Sequence, residues 1–477
     1  MKAYKTLLFI LSIILMLALI SFSFPEEGVP FAGRTLYFPS ITEVLTNEGD
    51  ASSAMEKMNE LEEQLRLQRD SLAMAYQDSL SFYLNFFKTS PARIHLPADN
   101  WDYFNDLFGD LEASKEKKEV IHILHYGDSQ IEGDRITGYV RQQLQETFGG
   151  QGPGLLPAVQ PIPSAAVGQT ASDNIGRYIV SGSHANRASH RRYGALGQVG
   201  HTVGESSISV SSRNWKNTFE NTKEFSRIRL FVGNTNGAFK ANLVVSGLEK
   251  MTRSVEDTAA VHVLSWELET PIKKFTLRMS GSAEVYGISV DGEYGVAMDN
   301  VPFRGSSGTF FNMLDSTVMA SMLQQLNTRL ILLEFGGNMM PVVKSDKVVA
   351  DYKEKMSAQI AYLKSVCPEA KIIMIGPADM STKVNGKLQT YPYLVETVEA
   401  LKEAALENGA AFWNMFEVMG GENSMKDWVN SKPSLAAPDY IHFTPRGAEK
   451  IADMFCESLV MYYDYYRFQN EKNEENE

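Results

Sequence analysis

The sequence predicts an α/β fold built on a mainly parallel sheet and interrupted by an inserted β-sandwich. Three observations carry this. Apolar strand-like runs alternate with amphipathic helical stretches in two blocks, 119–148 and 330–465. Between the blocks, over residues 175–290, short strands follow one another with Gly, Asn and Ser punctuation and need no helix. The chain has 477 residues, 44% hydrophobic and 22% charged, which is ordinary for a globular protein and long enough for two or three domains.

In the first block, Val120–Tyr126 reads as a buried strand ending in Gly127-Asp-Ser-Gln130. A helix follows, with Ile136, Tyr139, Val140, Leu144 and Phe148 on one face, and the glycine-rich run 149–154 stops it. The second block repeats the rhythm. Leu330–Phe335 is a strand ending in Gly336-Gly-Asn338, and Val349, Tyr352, Met356, Ile360 and Leu363 mark a helix that Pro368 closes. Lys371–Ile375 is the next strand, Leu394, Val398 and Leu401 mark a helix ended by Gly409, and Ala411–Phe416 is a further strand. Thr444 is placed to cap a last helix with Pro445 at its first position and Ile451, Phe455 and Leu459 inward. Strands in the order strand–helix–strand form a parallel sheet covered on both faces.

The inserted strands are expected at 207–210, 227–232, 241–245, 261–266, 275–279 and 285–290. The chain thus divides into a signal peptide or anchor (1–24), a linker (25–54) and an amphipathic helical segment (55–89). The α/β domain occupies 90–174 and 291–468, split by the β-sandwich at 175–290, and a disordered acidic tail is expected at 469–477. In 55–89, Met58, Leu61, Leu65, Leu72 and Tyr76 recur at helical spacing. This segment is either a stalk or self-association helix or one packed on its own domain.

Lys2 and Lys5 precede an apolar run from Leu7 to Phe22, which reads as an export signal. Ser23-Phe24-Pro25 offers no small-x-small cleavage site, so a retained signal anchor is the alternative. Either reading places the rest of the chain outside the cytoplasm, in the periplasm or cell envelope, with the membrane touched only by this segment. The net charge of −13 and pI near 5.3 argue against a nucleic-acid binder. Cys367 and Cys456 are too few for a disulfide scaffold, and two buried thiols are favoured over one disulfide.

Ser129 stands between a strand and a helix, where ligands gather in open parallel sheets. A serine needs a base to become a nucleophile, and His442 in Asp439-Tyr-Ile-His442 is the candidate, with Asp439 to orient it. An oxyanion needs donors: Asn338 after two glycines, the N–H of Ser129, and a glycine N–H from the loop Asn300–Gly308, where Gly305 is the choice and Gly308 its competitor. His122 and His125 are read as packing residues. His184, His190 and His201 with Arg187, Arg191 and Arg192 are read as a solvated loop, since no ligand spacing supports a metal there. No Gly-Lys-Ser/Thr loop or strand–Gly-x-Gly-x-x-Gly–helix supports nucleotide use, and no metal or cofactor is expected.

Gly127-Asp-Ser129, Gly305, Gly336-Gly-Asn338 and Asp439-x-x-His442-x-Thr-Pro, in this order, resemble the blocks of the SGNH (GDSL-like) hydrolases. The resemblance covers about residues 119–170 and 291–465. It implies a flavodoxin-like three-layer domain in which Ser129, His442 and Asp439 form the triad and Ser129, Gly305 and Asn338 the oxyanion hole. The glycine-rich run 149–154 and the inserted β-sandwich look most like the peptidoglycan O-acetylesterase branch, where a carbohydrate-binding-like module interrupts the hydrolase. The sequence departs from the family at Met339, where an Asp usually braces the Asn loop, and at Gln130, where Leu or His is usual.

What this implies is an exported serine esterase that removes acetyl or other small acyl groups from an envelope or extracellular polysaccharide, peptidoglycan among them. The alternatives are a polysaccharide O-acyltransferase working through the same acyl-enzyme, or a non-catalytic glycan-binding envelope protein. The inserted strands are expected beside the cleft, with both connections at the active-site edge of the sheet, where they help to hold polymer.

Overall fold

The computed structural model describes residues 16, 29–31, 34–36, 51–72 and 79–475, apart from 161, 182, 184–185, 215–217, 247–250 and 256–259. Apart from Met16, the expected signal segment 1–24 lies outside the described residues, as does most of the linker 25–54. Among the described residues no helix is long and apolar enough to cross a membrane.

A six-stranded sheet forms the centre of the molecule. Its strands are β1 (Ile94–His95), β2 (Val120–Gly127), β3 (Gly295–Pro302), β4 (Thr328–Glu334), β5 (Lys371–Ile375) and β6 (Ala411–Trp413). They lie in the order β3-β2-β4-β5-β6-β1, all parallel except the edge strand β1. Residues of one strand alternate between two cores. Leu124 and Tyr126 join Ile331, Leu333, Ile372 and Met374 under helices α3 (Ser316–Leu326), α4 (Asp346–Val366) and α5 (Leu394–Glu407). Ile121 and Ile123 join Val296, Met298, Leu330 and Leu332 under α1 (Asn105–Lys117), α2 (Thr137–Phe148) and α6 (Pro445–Glu475). Helices on both faces are what near-continuous apolar strands require.

Three local differences from the sequence reading have plain causes. The run Ala411–Phe416 is a strand only to Trp413, because Asn414 turns the chain and its side chain accepts from Glu417 N to start the helix Met415–Val418. The acidic end continues α6 to Glu475 rather than leaving it, with Gln469 bonded to Asp102 and Arg467 paired with Glu471. The segment 55–89 contributes to the helices Ala51–Leu72 and Ser79–Thr89, with Met58, Leu65, Tyr83 and Phe86 buried in the α6 core. It packs on its own chain. Cys367 and Cys456 are free and buried.

Between α2 and β3 the chain forms two antiparallel sheets that share a core. One holds His262–Ile272, Phe225–Gly233, Ala283–Asp291, Gln198–Thr202 and Gly176–Ile179, with Gly154–Leu156 also paired to Ala283–Asp291. The other holds Met251–Val255, Phe239–Val244, Lys274–Ser280, Ser206–Ser212 and Val167–Ala171. Leu230 faces this shared core, whereas its neighbour Phe231 packs with Tyr126 and Tyr286 against the α/β region. Strand structure therefore begins at Gly154, well before residue 175.

The connections lie where the sequence reading did not put them. Helix α2 runs back to the edge where β2 and β3 begin, so the chain leaves and re-enters opposite the active site: Val296 N donates to Gly149 O at 2.9 Å. Gly150 sits so close to β3 that a Cβ would lie 2.3 Å from Val296 O, at a φ of +125°. The segment nevertheless reaches the other edge by packing. Leu196 and Val199 join Phe303 and Phe310 in one cluster, and Asp315 N donates to Arg191 O at 2.9 Å.

Candidate active site

Strand register sets the site. Gly127 at the end of β2 pairs with Pro302 on one side and Glu334 on the other, so the loops after β2, β3 and β4 leave the sheet at one level. These are the carboxyl ends, where open parallel sheets bind ligands. A fourth loop arrives from the far end of the sequence. It is closed by a bridge between Ala436 and Phe443 and runs into α6, whose first turn is capped by Thr444 Oγ1 accepting from Gly447 N at 3.2 Å.

Ser129 and His442 meet there. Ser129 Oγ lies 2.8 Å from His442 Nε2, and His442 Nδ1 lies 2.7 Å from Asp439 Oδ2. Asp439 Oδ1 accepts from Ile441 N and His442 N, each at 3.0 Å. A carboxylate against Nδ1 places the ring proton there and leaves Nε2 as acceptor for the serine hydroxyl. Partial burial raises Asp439, but the ring N–H and the two backbone N–H groups outweigh it and hold the carboxyl below its usual range. All three sequence candidates are thus brought into one hydrogen-bonded chain.

The candidate donors for an oxyanion stand on three loops. Among the described residues neither Ser129 N–H nor Gly305 N–H has a protein acceptor. Gly308 N–H is used, donating to Ser306 Oγ at 3.1 Å, which separates the two glycines in favour of Gly305. Gly305 has a φ of +74° and open space at its Cβ position, so its turn is free of side-chain packing. Asn338 is anchored: its Nδ2 donates to Asp128 Oδ2 at 2.7 Å and to Ser306 O at 3.1 Å. The bracing that the absent Asp at 339 would give comes from Asp128, beside the serine. Asp128 is buried, and burial pushes it up to about 7 against the bond from Gln130 N–H, with the Glu334 charge adding to the rise. Arg304 and Glu132 pair through two hydrogen bonds, holding the Gly305 turn to the serine loop.

Asp128, Ser129, Asn338 and His442 border a cavity of about 140 Å³, whose lining does not include Gly305 or Asp439. Apolar Phe335, Pro341, Pro377, Met380, Met415 and Ile441 form much of its wall. Sequence reasoning did not reach Glu334 or Asp379, which also line it; each is buried by strand or loop neighbours distant in sequence.

The histidines read as packing or solvated prove to be bonded. His122 Nδ1 lies 2.8 Å from Asp299 Oδ2, and His125 Nε2 lies 3.1 Å from Glu334 Oε2. His190 and His201 converge on Glu284, with His190 Nε2 3.1 Å from both partners. His184 lies outside the described residues. The bonding pattern does not suit a cation. His190 Nδ1 accepts from Arg192 N at 3.1 Å, so a neutral ring carries its proton on Nε2 and has no lone pair there. Glu284 already accepts from Arg192, Asn234 and Tyr286, and the bonds from His190, Arg192 and Tyr286 outweigh its burial and bring it down to about 2.

No protein-family model matches the sequence, and no curated protein matches it. Solved structures do. A peptidoglycan O-acetylesterase superposes with a TM-score of 0.59 at 21% identity, over 76% of this chain and 96% of that one. This chain shares its fold. A family two carbohydrate esterase from Cellvibrio japonicus (TM-score 0.24, 9% identity, 64% of this chain and 99% of that one) and a putative GDSL-like lipase from Parabacteroides merdae (0.26, 14%, 35% and 74%) superpose too loosely to carry any argument.

Proposed function

We propose that this chain is an exported serine esterase of the SGNH type that removes O-acetyl groups from an envelope polysaccharide, with peptidoglycan the first polymer to test. The observation that carries this is the chain Ser129–His442–Asp439, with contacts of 2.8 and 2.7 Å, at the mouth of a small, largely apolar cavity. Ser129 Oγ attacks the ester carbonyl as His442 Nε2 takes its proton. The oxyanion rests on Ser129 N–H, Gly305 N–H and Asn338, whose amide keeps Asp128 and exchanges its longer bond to Ser306 O for the new charge. His442 gives its proton to the leaving sugar hydroxyl. A water, deprotonated by His442, then splits the acyl-enzyme, and acetate leaves as Ser129 regains its proton.

The basic and apolar start of the sequence, Lys2 to Phe22, supports export, with the protein soluble or held by that segment. The similarity in fold to a peptidoglycan O-acetylesterase supports the choice of polymer, and the antiparallel sheets are read as a carbohydrate-binding-like module that holds it. Acetate release by wild type and Ser129→Ala from O-acetylated peptidoglycan, acetyl xylan and acetylated alginate tests the reading. Release from peptidoglycan by wild type alone is expected. Equal release by both proteins would overturn the enzyme, and preference for xylan or alginate would overturn the polymer.

A further inference from the structure

We propose that Gln130 is a positioning residue that ties the His442 loop to the Ser129 turn through its side-chain amide; this rests on the reading of Ser129 and His442 as nucleophile and base. The two are 313 residues apart, so no nearby covalent link sets their distance. Ser381 N donates to Tyr440 O at 3.0 Å, which ties the His442 loop to the segment after β5 but not to the Ser129 turn, and the remaining bonds that shape the loop are internal. Asp439 accepts from Ile441 N and His442 N, and Ala437 N donates to His442 O at 2.7 Å. They shape the loop without fixing it relative to Ser129.

Gln130 supplies the missing tie. Its Nε2 donates to Ile441 O at 2.6 Å, and its Oε1 accepts from Phe443 N at 3.4 Å. The amide thus bonds the backbone on both sides of His442, as a peptide group of a neighbouring strand would. Among the described residues these are the hydrogen bonds, besides Ser129–His442 itself, that join the 128–131 turn to 439–443. The turn is itself anchored, since Gln130 N donates to buried Asp128 Oδ1 at 2.9 Å. A peptide-like donor and acceptor on one side chain is what this position needs, and an apolar residue there offers neither. Misplacement of a catalytic pair by about 1 Å costs on the order of 10²-fold in rate, so the tie acts on turnover.

The test uses the full chain with Gln130→Met, which keeps length without hydrogen bonding, and Gln130→Glu, which keeps the acceptor but loses the donor to Ile441 O. Three readouts are taken: kcat and KM on a small aryl acetate, the rate at which a phosphonate labels Ser129, and the ring resonances of His442 by NMR. Both variants are expected to lose about 10–100-fold in kcat and in labelling rate, with KM within about threefold of wild type. In a His442→Ala background, Gln130→Met is expected to add no further loss, because the tie has no base left to place. A raised KM at unchanged kcat, or the same loss with and without His442, would overturn the proposal. If wild type itself neither hydrolyses the ester nor labels, the esterase reading fails instead. The NMR arm still decides the tie: shifted or broadened His442 ring signals in Gln130→Met support it, and an unchanged ring spectrum refutes it.

Discussion

Asn338 gives its side-chain amide to Asp128 across 2.7 Å, so the residue preceding the serine holds the residue proposed as an oxyanion donor. Both amide hydrogens are engaged, the second by Ser306 O at 3.1 Å. The amide is therefore held in one orientation, and on the proposed mechanism the longer of its two bonds is exchanged for the oxyanion.

Asn338→Ala removes that donor from the place where negative charge develops. A loss on the order of 10²–10³ in kcat with little change in KM is expected on an aryl acetate, since the bond strengthens mainly in the transition state. An unaltered kcat would show that Asn338 stays on Ser306 throughout the reaction.

Asp128 gives a pH dependence of definite sign. Burial pushes it up to about 7 from the ordinary value of 3.8. Between those values the folded protein holds a proton that the unfolded chain has released, so the contribution of this group to stability falls as pH rises through the window. Asp128→Asn carries no such proton. Its stability relative to wild type should climb from about pH 4 to about pH 7 and level off above, by up to a few kcal/mol, roughly. Parallel denaturant midpoints for the two proteins across that range would show Asp128 ionised like an exposed carboxyl.

A serine-directed phosphonate should label Ser129 and leave the other serines unmodified, as read by peptide mass mapping. Label elsewhere, together with measurable esterase activity, would move the nucleophile. In His442→Ala, labelling and turnover should fall together by several orders of magnitude, because serine and histidine act as a unit.

Asp439→Asn keeps the shape of the loop but offers the imidazole an amide in place of a carboxylate. A fall of about 10²–10⁴ in kcat/KM is expected, toward the lower end because Asp439 is partly exposed. Activity within about twofold of wild type would reduce Asp439 to a loop-shaping role.

The parts of this structure legible in the sequence are those whose signal is local or repeated. Val120–Tyr126 reads as a buried strand because its apolar residues fall on both faces, and Thr444-Pro445 reads as a helix start because capping is a short-range event. Ser129, Asn338, Asp439 and His442 were found because their order and neighbours form a pattern. What stayed hidden depends on pairing between distant segments. Two residues, Ile94–His95, make an edge strand only because β6 is there to pair with them. His190, His201 and Glu284 come together from strands and loops with no shared spacing. The side chain of Gln130 could be placed only once Ile441 and Phe443 were known to lie opposite. The edge at which the antiparallel strands join is set by the direction of α2, which returns the chain to the start of β3.

His122 and Asp299 belong to the parallel sheet, Arg229 and Asp291 to an antiparallel one, and the four meet where the two regions touch. Arg229 Nη2 donates to His122 Nε2 at 2.8 Å and to Asp291 Oδ2 at 3.2 Å, with His122, Asp291 and Asp299 fully buried and Arg229 nearly so. Prising the regions apart would take the Arg229 guanidinium off His122, while Asp291 stays with Arg229 and Arg227 and His122 with Asp299 on their own sides. Such a seam has no cheap half-open state. On the proposed function, then, a polymer meets a surface already in place rather than one that closes over it by hinging at this seam.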